Sequence, residues 1–334
     1  MSRPAGDDTD PVDRFVIVST GRCGSTMLSD LINEEPETLV ANEFLVPLSV
    51  GLDGAVGATL TGADYWSMLA RPHPHGQTLH RIGAVLPGVR YPAHGRYADN
   101  LDDLPILLVC VLPAISADPD RLFDALAGQV PRFPTQTAGR HHQMLLDLLA
   151  ALHGRRRWVE RSGASCMLAE TILRSFPTAG IVFLTRDPAV TAESMSRHPV
   201  FQLAAARYAF AAQYGRDPYR PDPDGRLGVD GFADVPAGLR RFLPQTLTAE
   251  ALREWGENVH WFEMSCRFSM ARTEQALLDR PPPALLRVRY EDLVDQPLRE
   301  LTRLGTFLGF TDPSNWAAAN APRIRSAPTG PRGC

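Results

Sequence analysis

Gly21-Arg22-Cys23-Gly24-Ser25-Thr26 sets a guanidinium between two glycines and follows it with two hydroxyls. Glycine admits positive φ, so several N–H groups can turn toward one anion, and a helix start adds partial positive charge. The chemistry this allows is the cradling of a phosphate or sulfate; the plainer alternative is an ordinary turn with a surface Arg. Arg161-Ser162-Gly163-Ala164-Ser165 repeats the logic, although a surface turn would look similar. Arg186 and Ser194 stand eight residues apart, and across a helical start both can reach one anion. Glu43, within the apolar stretch Val40 to Leu45, either lies close to that anion or is a solvated surface carboxylate.

The same loop disfavours two other chemistries. A nucleotide triphosphatase loop needs four residues between its glycines and then Gly-Lys-Ser/Thr, so that Lys reaches the terminal phosphates. In this chain Arg22 and Cys23 alone separate the glycines, and Ser25 stands where Lys would be. Nor is Gly-x-x-Gly the Gly-x-Gly-x-x-Gly of a dinucleotide fold.

Elements must bring these groups together. Phe15 to Ser19 is a β-branched apolar run, and helical spacing begins at Met27 and Leu28 and continues at Leu31 and Ile32. This predicts strand, turn and helix. Val40 to Leu45 reads as a second strand returning beside the first, which opens Glu43 near the loop. Arg156 to Glu160, Ile181 to Thr185 and Leu285 to Tyr290 read as further strands, and Pro188 suits a first helical position. Gln143 to Leu152, Met167 to Phe176, Phe201 to Tyr214, Ala249 to Leu278 and Pro297 to Leu308 read as helices. The expected fold is α/β, a parallel central sheet flanked by helices. One domain fills residues 1–334, with a core at about 14–46 and 140–310 and a mostly helical insertion at about 47–139. The long loop Tyr214 to Asp234, carrying Tyr219 and Arg220, reads as a lid, a substrate contact or a disordered segment. Residues 321–334 form a basic tail, structureless from Arg323 onward.

Composition narrows the class. A net charge of -4 gives no global basic field, so no nucleic-acid partner is expected and any anion site must concentrate Arg locally. The chain opens without the basic start and apolar core of a signal peptide, and its longest apolar run, Ile106 to Leu112, is too short to span a bilayer. A cytoplasmic protein with no integral membrane segment is the expectation. Five scattered cysteines without Cys-x-x-Cys suggest neither disulfides nor zinc. His73, His75 and His80 lack helix-spaced pairing with a carboxylate, so no metal is expected.

In this order the motifs resemble the sulfotransferases that use 3′-phosphoadenosine 5′-phosphosulfate. The family's Lys/Arg-Ser-Gly-Thr/Ser-Thr loop is matched by Arg22, Gly24, Ser25 and Thr26, with Cys23 in place of Ser. Its Arg-Asp/Asn-Pro with a later Ser is matched by Arg186, Asp187, Pro188 and Ser194, and its Arg-Tyr-Glu-Asp-Leu recurs at Arg289 to Leu293 as a structural feature. The resemblance spans about residues 14 to 310. Where many members have Glu-Lys-Thr-Pro this chain has Glu160-Arg161-Ser162-Gly163, and the family's late Gly-rich basic loop has a faint counterpart at Gly330 to Gly333.

The resemblance implies a P-loop NTPase-like sulfotransferase fold and in-line sulfuryl transfer from that donor, without metal, to a hydroxyl or amine of a small-molecule or lipid-like acceptor. Residues Arg22 to Thr26 would hold the 5′-phosphosulfate, with Arg161 assisting, and Arg186 and Ser194 would hold the 3′-phosphate. Glu43 would be the base, with His198 as its rival. An ATP-dependent kinase and an inactive nucleotide-binding scaffold are the alternatives of other classes. Neither the acceptor nor the oligomeric state is legible.

Overall fold

The structure is a computed structural model that describes residues 13–45, 58–72, 74–84, 89–220, 232, 234–280 and 284–325. Five parallel strands, β1 (Asp13–Ser19), β2 (Thr38–Asn42), β5 (Arg157–Arg161), β6 (Gly180–Thr185) and β7 (Leu285–Arg289), form one sheet in the order β2-β5-β1-β6-β7. A short antiparallel pair, β3 (Thr59–Leu60) and β4 (Gln136–Thr137), lies apart from it. The helices are α1 (Ser25–Ile32), α2 (Gly62–Ala70), α3 (Pro74–Arg81), α4 (Ile106–Val109), α5 (Val111–Ile115), α6 (Pro119–Ala127), α7 (Ala138–Leu152) and α8 (Ala169–Ser175). They continue with α9 (Pro188–Ser196), α10 (Pro199–Tyr214), α11 (Ala237–Arg240), α12 (Ala249–Gly256), α13 (Val259–Ala276), α14 (Tyr290–Asp295), α15 (Pro297–Phe307) and α16 (Pro313–Arg325).

A parallel sheet is covered on both faces, so its strands read as continuous apolar runs whose side chains alternate between two cores. Val16, Val18, Leu39, Trp158, Ile181 and Phe183 enter a core with α7 and the helices of the 58–139 region. Ile17, Val40, Val159, Val182 and Val288 enter the other, against α1, α15 and α16. Every strand runs the same way, so Ser19, Asn42, Arg161, Thr185 and Arg289 all end at one edge. The site is built there.

Four details differ from the sequence reading. β2 does not pair with β1: β5 lies between them, with Arg161 opposite both Ile17 and Asn42. The long crossover through α7 brings β5 back into the middle, an arrangement that no local pattern encodes. The single helix read from Ala249 to Leu278 is two. A Cβ on Gly256 would clash with the Ser196 carbonyl, so α12 ends in close backbone contact with α9, and Asn258 caps a new helix through the Trp261 N–H. Arg323 to Arg325 are helical, and Arg323 pairs with Glu34; residues 326–334, which include Gly330 to Gly333, lie outside the described residues. Tyr219 is fully buried and donates to the Phe242 carbonyl at 2.5 Å, which makes it a core residue; the adjoining 221–231 and 233 are also outside the described set.

No helix among the described residues is long and apolar enough to cross a membrane. His75 bonds the Tyr219 carbonyl and His80 bonds Asp102, while His73 is not described.

Candidate active site

The turn after β1 takes left-handed backbone at Gly21 (φ 79°), Arg22 (φ 54°) and Gly24 (φ 90°) before α1 begins at Ser25. Both glycines are required twice over, by φ and by contact. A Cβ on Gly21 would lie 2.6 Å from the Phe201 ring and 2.9 Å from the Ala164 nitrogen; one on Gly24 would run into the Tyr290 ring. Gly24, as the residue capping α1, supplies no side chain to the first-turn N–H groups. Cys23 is completely buried among the apolar side chains of the α1 core, so the thiol acts as filler and only its backbone belongs to the turn. Ser25 is buried and Thr26 exposed.

Arg22 reaches across this turn. Its Nε donates to Ser194 Oγ at 3.1 Å, while Arg186 donates to the Arg22 carbonyl at 3.4 Å. The Arg186 guanidinium lies over the Tyr290 ring, 4.3 Å from its centroid. Asp187 starts α9 by accepting from the Ala189 and Val190 N–H groups at 2.9 and 3.0 Å, and its own N–H donates to Glu291 at 2.8 Å. Three separate sequence motifs therefore meet: Arg22, Arg186 with Ser194, and Tyr290 with Glu291.

A second group of contacts adjoins the first. Arg161 pairs with Glu43 and donates from Nε to Asn42 Oδ1 at 3.0 Å. The Gly163 N–H reaches both Glu43 oxygens, at 3.2 and 3.1 Å. Glu43 has left-handed φ (53°), and its N–H extends the ladder to the Arg161 carbonyl at 2.8 Å. A Cβ on Gly163 would stand 3.4 Å from Glu43 Oε1 and 4.0 Å from the Gly21 Cα, so the carboxylate sits beside the anion turn. Ser165 fastens that side, accepting from the Ser19 N–H at 2.9 Å.

His198 precedes α10 and caps it through its carbonyl, which accepts from Phe201 and Gln202 at 3.0 Å; its side chain makes no capping bond. Its ring stands edge-on to Phe201 at 5.4 Å, and Nδ1 is buried without a partner among the described residues. Burial first, and the Arg22 charge second, push the imidazole down to about 4, so it is neutral near pH 7.

The sequence reading named Arg22, Glu43, Arg161, Arg186, Ser194 and His198, and all six lie along this one edge. It did not find Asn42, Phe201, Tyr290 and Glu291 as site residues, nor the Glu160 and Ser162 bonds beneath Glu43. For Tyr290 and Glu291 the signal was present in Arg289 to Leu293, read there as structural.

The strand ends of this parallel sheet thus gather glycine turns, three arginines and a carboxylate at one edge, the place where open α/β sheets bind ligands. The model of the Sulfotransferase family matches residues 14–222, more than half of the chain. The chain belongs to that family, and its α/β fold is a sulfotransferase fold.

Three similar solved structures are sulfotransferases of low identity. The sulfotransferase domain from the curacin biosynthetic pathway is 16% identical, with 97% of this chain and 81% of that one covered and a TM-score of 0.45. Sulfotransferase STF9 from Mycobacterium avium is 14% identical, with 96% and 69% covered and a TM-score of 0.41. The sulfotransferase from Alicyclobacillus acidocaldarius is 13% identical, with 91% and 82% covered and a TM-score of 0.34. None of the curated proteins matches the chain.

Proposed function

We propose that this sulfotransferase moves a sulfuryl group from 3′-phosphoadenosine 5′-phosphosulfate to a hydroxyl or amine of a small-molecule or lipid-like acceptor, with Glu43 as the base. One observation carries the reading: Arg22 from the first turn touches Ser194, while Arg186 touches the Arg22 backbone and stacks on Tyr290. The residues fit a bisphosphorylated ligand. Two guanidinium groups, a hydroxyl and a helix start uncapped by any side chain converge at the turn whose glycines pack against Phe201, Ala164 and Tyr290. The donor supplies an activated sulfuryl group and a stable leaving phosphate.

Sulfuryl transfer is chemically analogous to phosphoryl transfer, in which catalysis is mostly positioning and charge stabilisation. Arg22 and the Gly24 to Thr26 amides hold the 5′-phosphate oxygens and neutralise charge building on the bridging oxygen. Arg161 both orients Glu43 and brings a third positive charge to that side. Arg186 and Ser194 hold the 3′-phosphate and fix the register. Glu43, whose oxygens accept from Arg161 and Gly163, takes the proton of the attacking acceptor.

The test is release of the bisphosphate product from the donor, alone and with a panel of hydroxyl and amine acceptors. Wild type should release it, and Arg22→Ala should be slower by about 10²–10³-fold, the usual loss for one charge-stabilising donor. Equal rates in the two proteins would defeat the reading.

A further inference from the structure

Glu160 is a carboxylate with no exposed surface, one residue before Arg161 on β5. Its Oε1 accepts from the Ser162 hydroxyl at 2.5 Å and from the Leu45 N–H at 3.2 Å, and that N–H also lies 3.0 Å from Ser162 Oγ. Its Oε2 is buried with no partner among the described residues. A half-satisfied buried carboxylate is expensive to keep, and an apolar side chain would fill the space without that cost. What this one accomplishes is a connection. Leu45 lies two residues beyond Glu43, and Ser162 lies between Arg161 and Gly163, the two residues that donate to Glu43. One oxygen thus ties the exit of β2 to the exit of β5, at the point where Glu43 holds a left-handed φ of 53° that favours glycine.

We infer that Glu160 is a positioning residue that locks the β2 and β5 exits together and so fixes the Glu43 carboxylate against Arg161 and Gly163. What it positions Glu43 for rests on the function proposed above; the geometric claim does not.

The electrostatics agree with this role. Burial drives Glu160 up to about 7; the Ser162 and Leu45 bonds oppose that rise, the Glu43 charge adds to it and Arg161 opposes it. A single proton on Glu160 near neutrality then sets the charge beneath Glu43. From the neighbouring elements, the Cys110 thiol between α4 and α5 is acted on by the same Glu43 and Arg161 charges and by Arg90, and burial pushes it up to about 12. His142 of α7 stands edge-on to Phe44 and is neutral, lowered to about 3 by burial and then by His141.

The experiment uses the full chain, with the donor alone and water as acceptor. The bond between sulfur and the 5′-phosphate oxygen breaks, a bond from sulfur to the water oxygen forms, and a water proton passes to the base, leaving sulfate and the bisphosphate. Glu160→Leu removes both carboxyl oxygens at similar size, Ser162→Ala removes the bridging hydroxyl while keeping Glu160, and Glu160→Gln keeps an acceptor oxygen for Ser162 and Leu45. In Glu160→Leu and Ser162→Ala bisphosphate affinity and the donor KM should be unchanged while kcat falls about 10- to 10²-fold, the penalty of a misplaced reacting group. Glu160→Gln should recover most of that loss, and the limb of its pH profile near 7 should flatten. A Glu43→Gln, Ser162→Ala double variant should be no slower than Glu43→Gln alone, because the one acts through the other. Wild-type rates in Glu160→Leu and Ser162→Ala, or a full further loss in the double variant, would overturn the inference. The carbon-13 chemical shift of the Glu43 carboxyl judges it without the donor: it should differ from wild type in Ser162→Ala, which changes no charge, and an unchanged shift would overturn it. If wild type bound no bisphosphate, the functional reading would fail and this chemical shift alone would decide.

Discussion

Glu43 and His198 stand in different surroundings, and the proposed function gives them different work. Glu43 is held by an ion pair and a backbone N–H, and its carboxylate stands beside Gly21. His198 is neutral and half-buried, its ring edge-on to Phe201. Glu43→Gln should therefore slow turnover by about 10²–10⁴-fold, the contribution of a positioned base, and His198→Ala by less than about tenfold. Steady-state kinetics on the donor alone distinguishes them, and the reverse order would move the base to His198. Under the proposed function Tyr290 bears on recognition instead. Its ring carries Arg186, so Tyr290→Leu should weaken bisphosphate binding about fivefold, near the ~1 kcal/mol of a partly exposed cation–π contact, with melting temperature little changed. Unaltered affinity on titration would show that Arg186 needs no such support.

The elements explain which residues were legible beforehand. A strand, a glycine turn and a helix start follow one another in sequence, so the placing of Arg22 with Ser25 and Thr26, and of Arg186 with Ser194, at strand ends could be read from spacing. Glu160 could not, because a Glu in a strand carries no mark that its oxygen will bind Leu45 and Ser162 from two other segments. The place of β5 between β1 and β2 is equally non-local. Ala249 to Leu278 kept helical spacing on both sides of Gly256, and the contact with the Ser196 carbonyl that ends α12 belongs to tertiary packing. Pro322 and the arginines around it gave the last helix the look of a tail.

Element-scale linkage gives a further expectation. Glu160 is raised to about 7 on folding, so its contribution to stability is complete below the unfolded carboxylate range and is lost as pH rises through about 7. Glu160→Gln removes that loss, and its melting temperature relative to wild type should climb between about pH 5 and about pH 8. A constant difference across that range would mean that the carboxyl does not titrate there.

At the scale of the whole molecule, the sheet edge stays in register only while both faces are covered. Leu304 of α15 is fully buried in the core shared by β1, β6, β7 and α1. Leu304→Ala should cost about 2–5 kcal/mol in denaturant unfolding, the range for deleting a buried leucine. A loss far below that would mean the α15 layer is not integral to the core. Under the proposed function this edge recognises a nucleotide bisphosphate through groups brought from distant parts of the chain. Calorimetric titration with 3′-phosphoadenosine 5′-phosphate, beside ADP and on both wild type and Arg186→Ala, tests it most directly. We expect tight binding of the bisphosphate, weak binding of ADP, and loss of the difference in the variant. No binding of either nucleotide, or equal binding of both by wild type, would contradict the account.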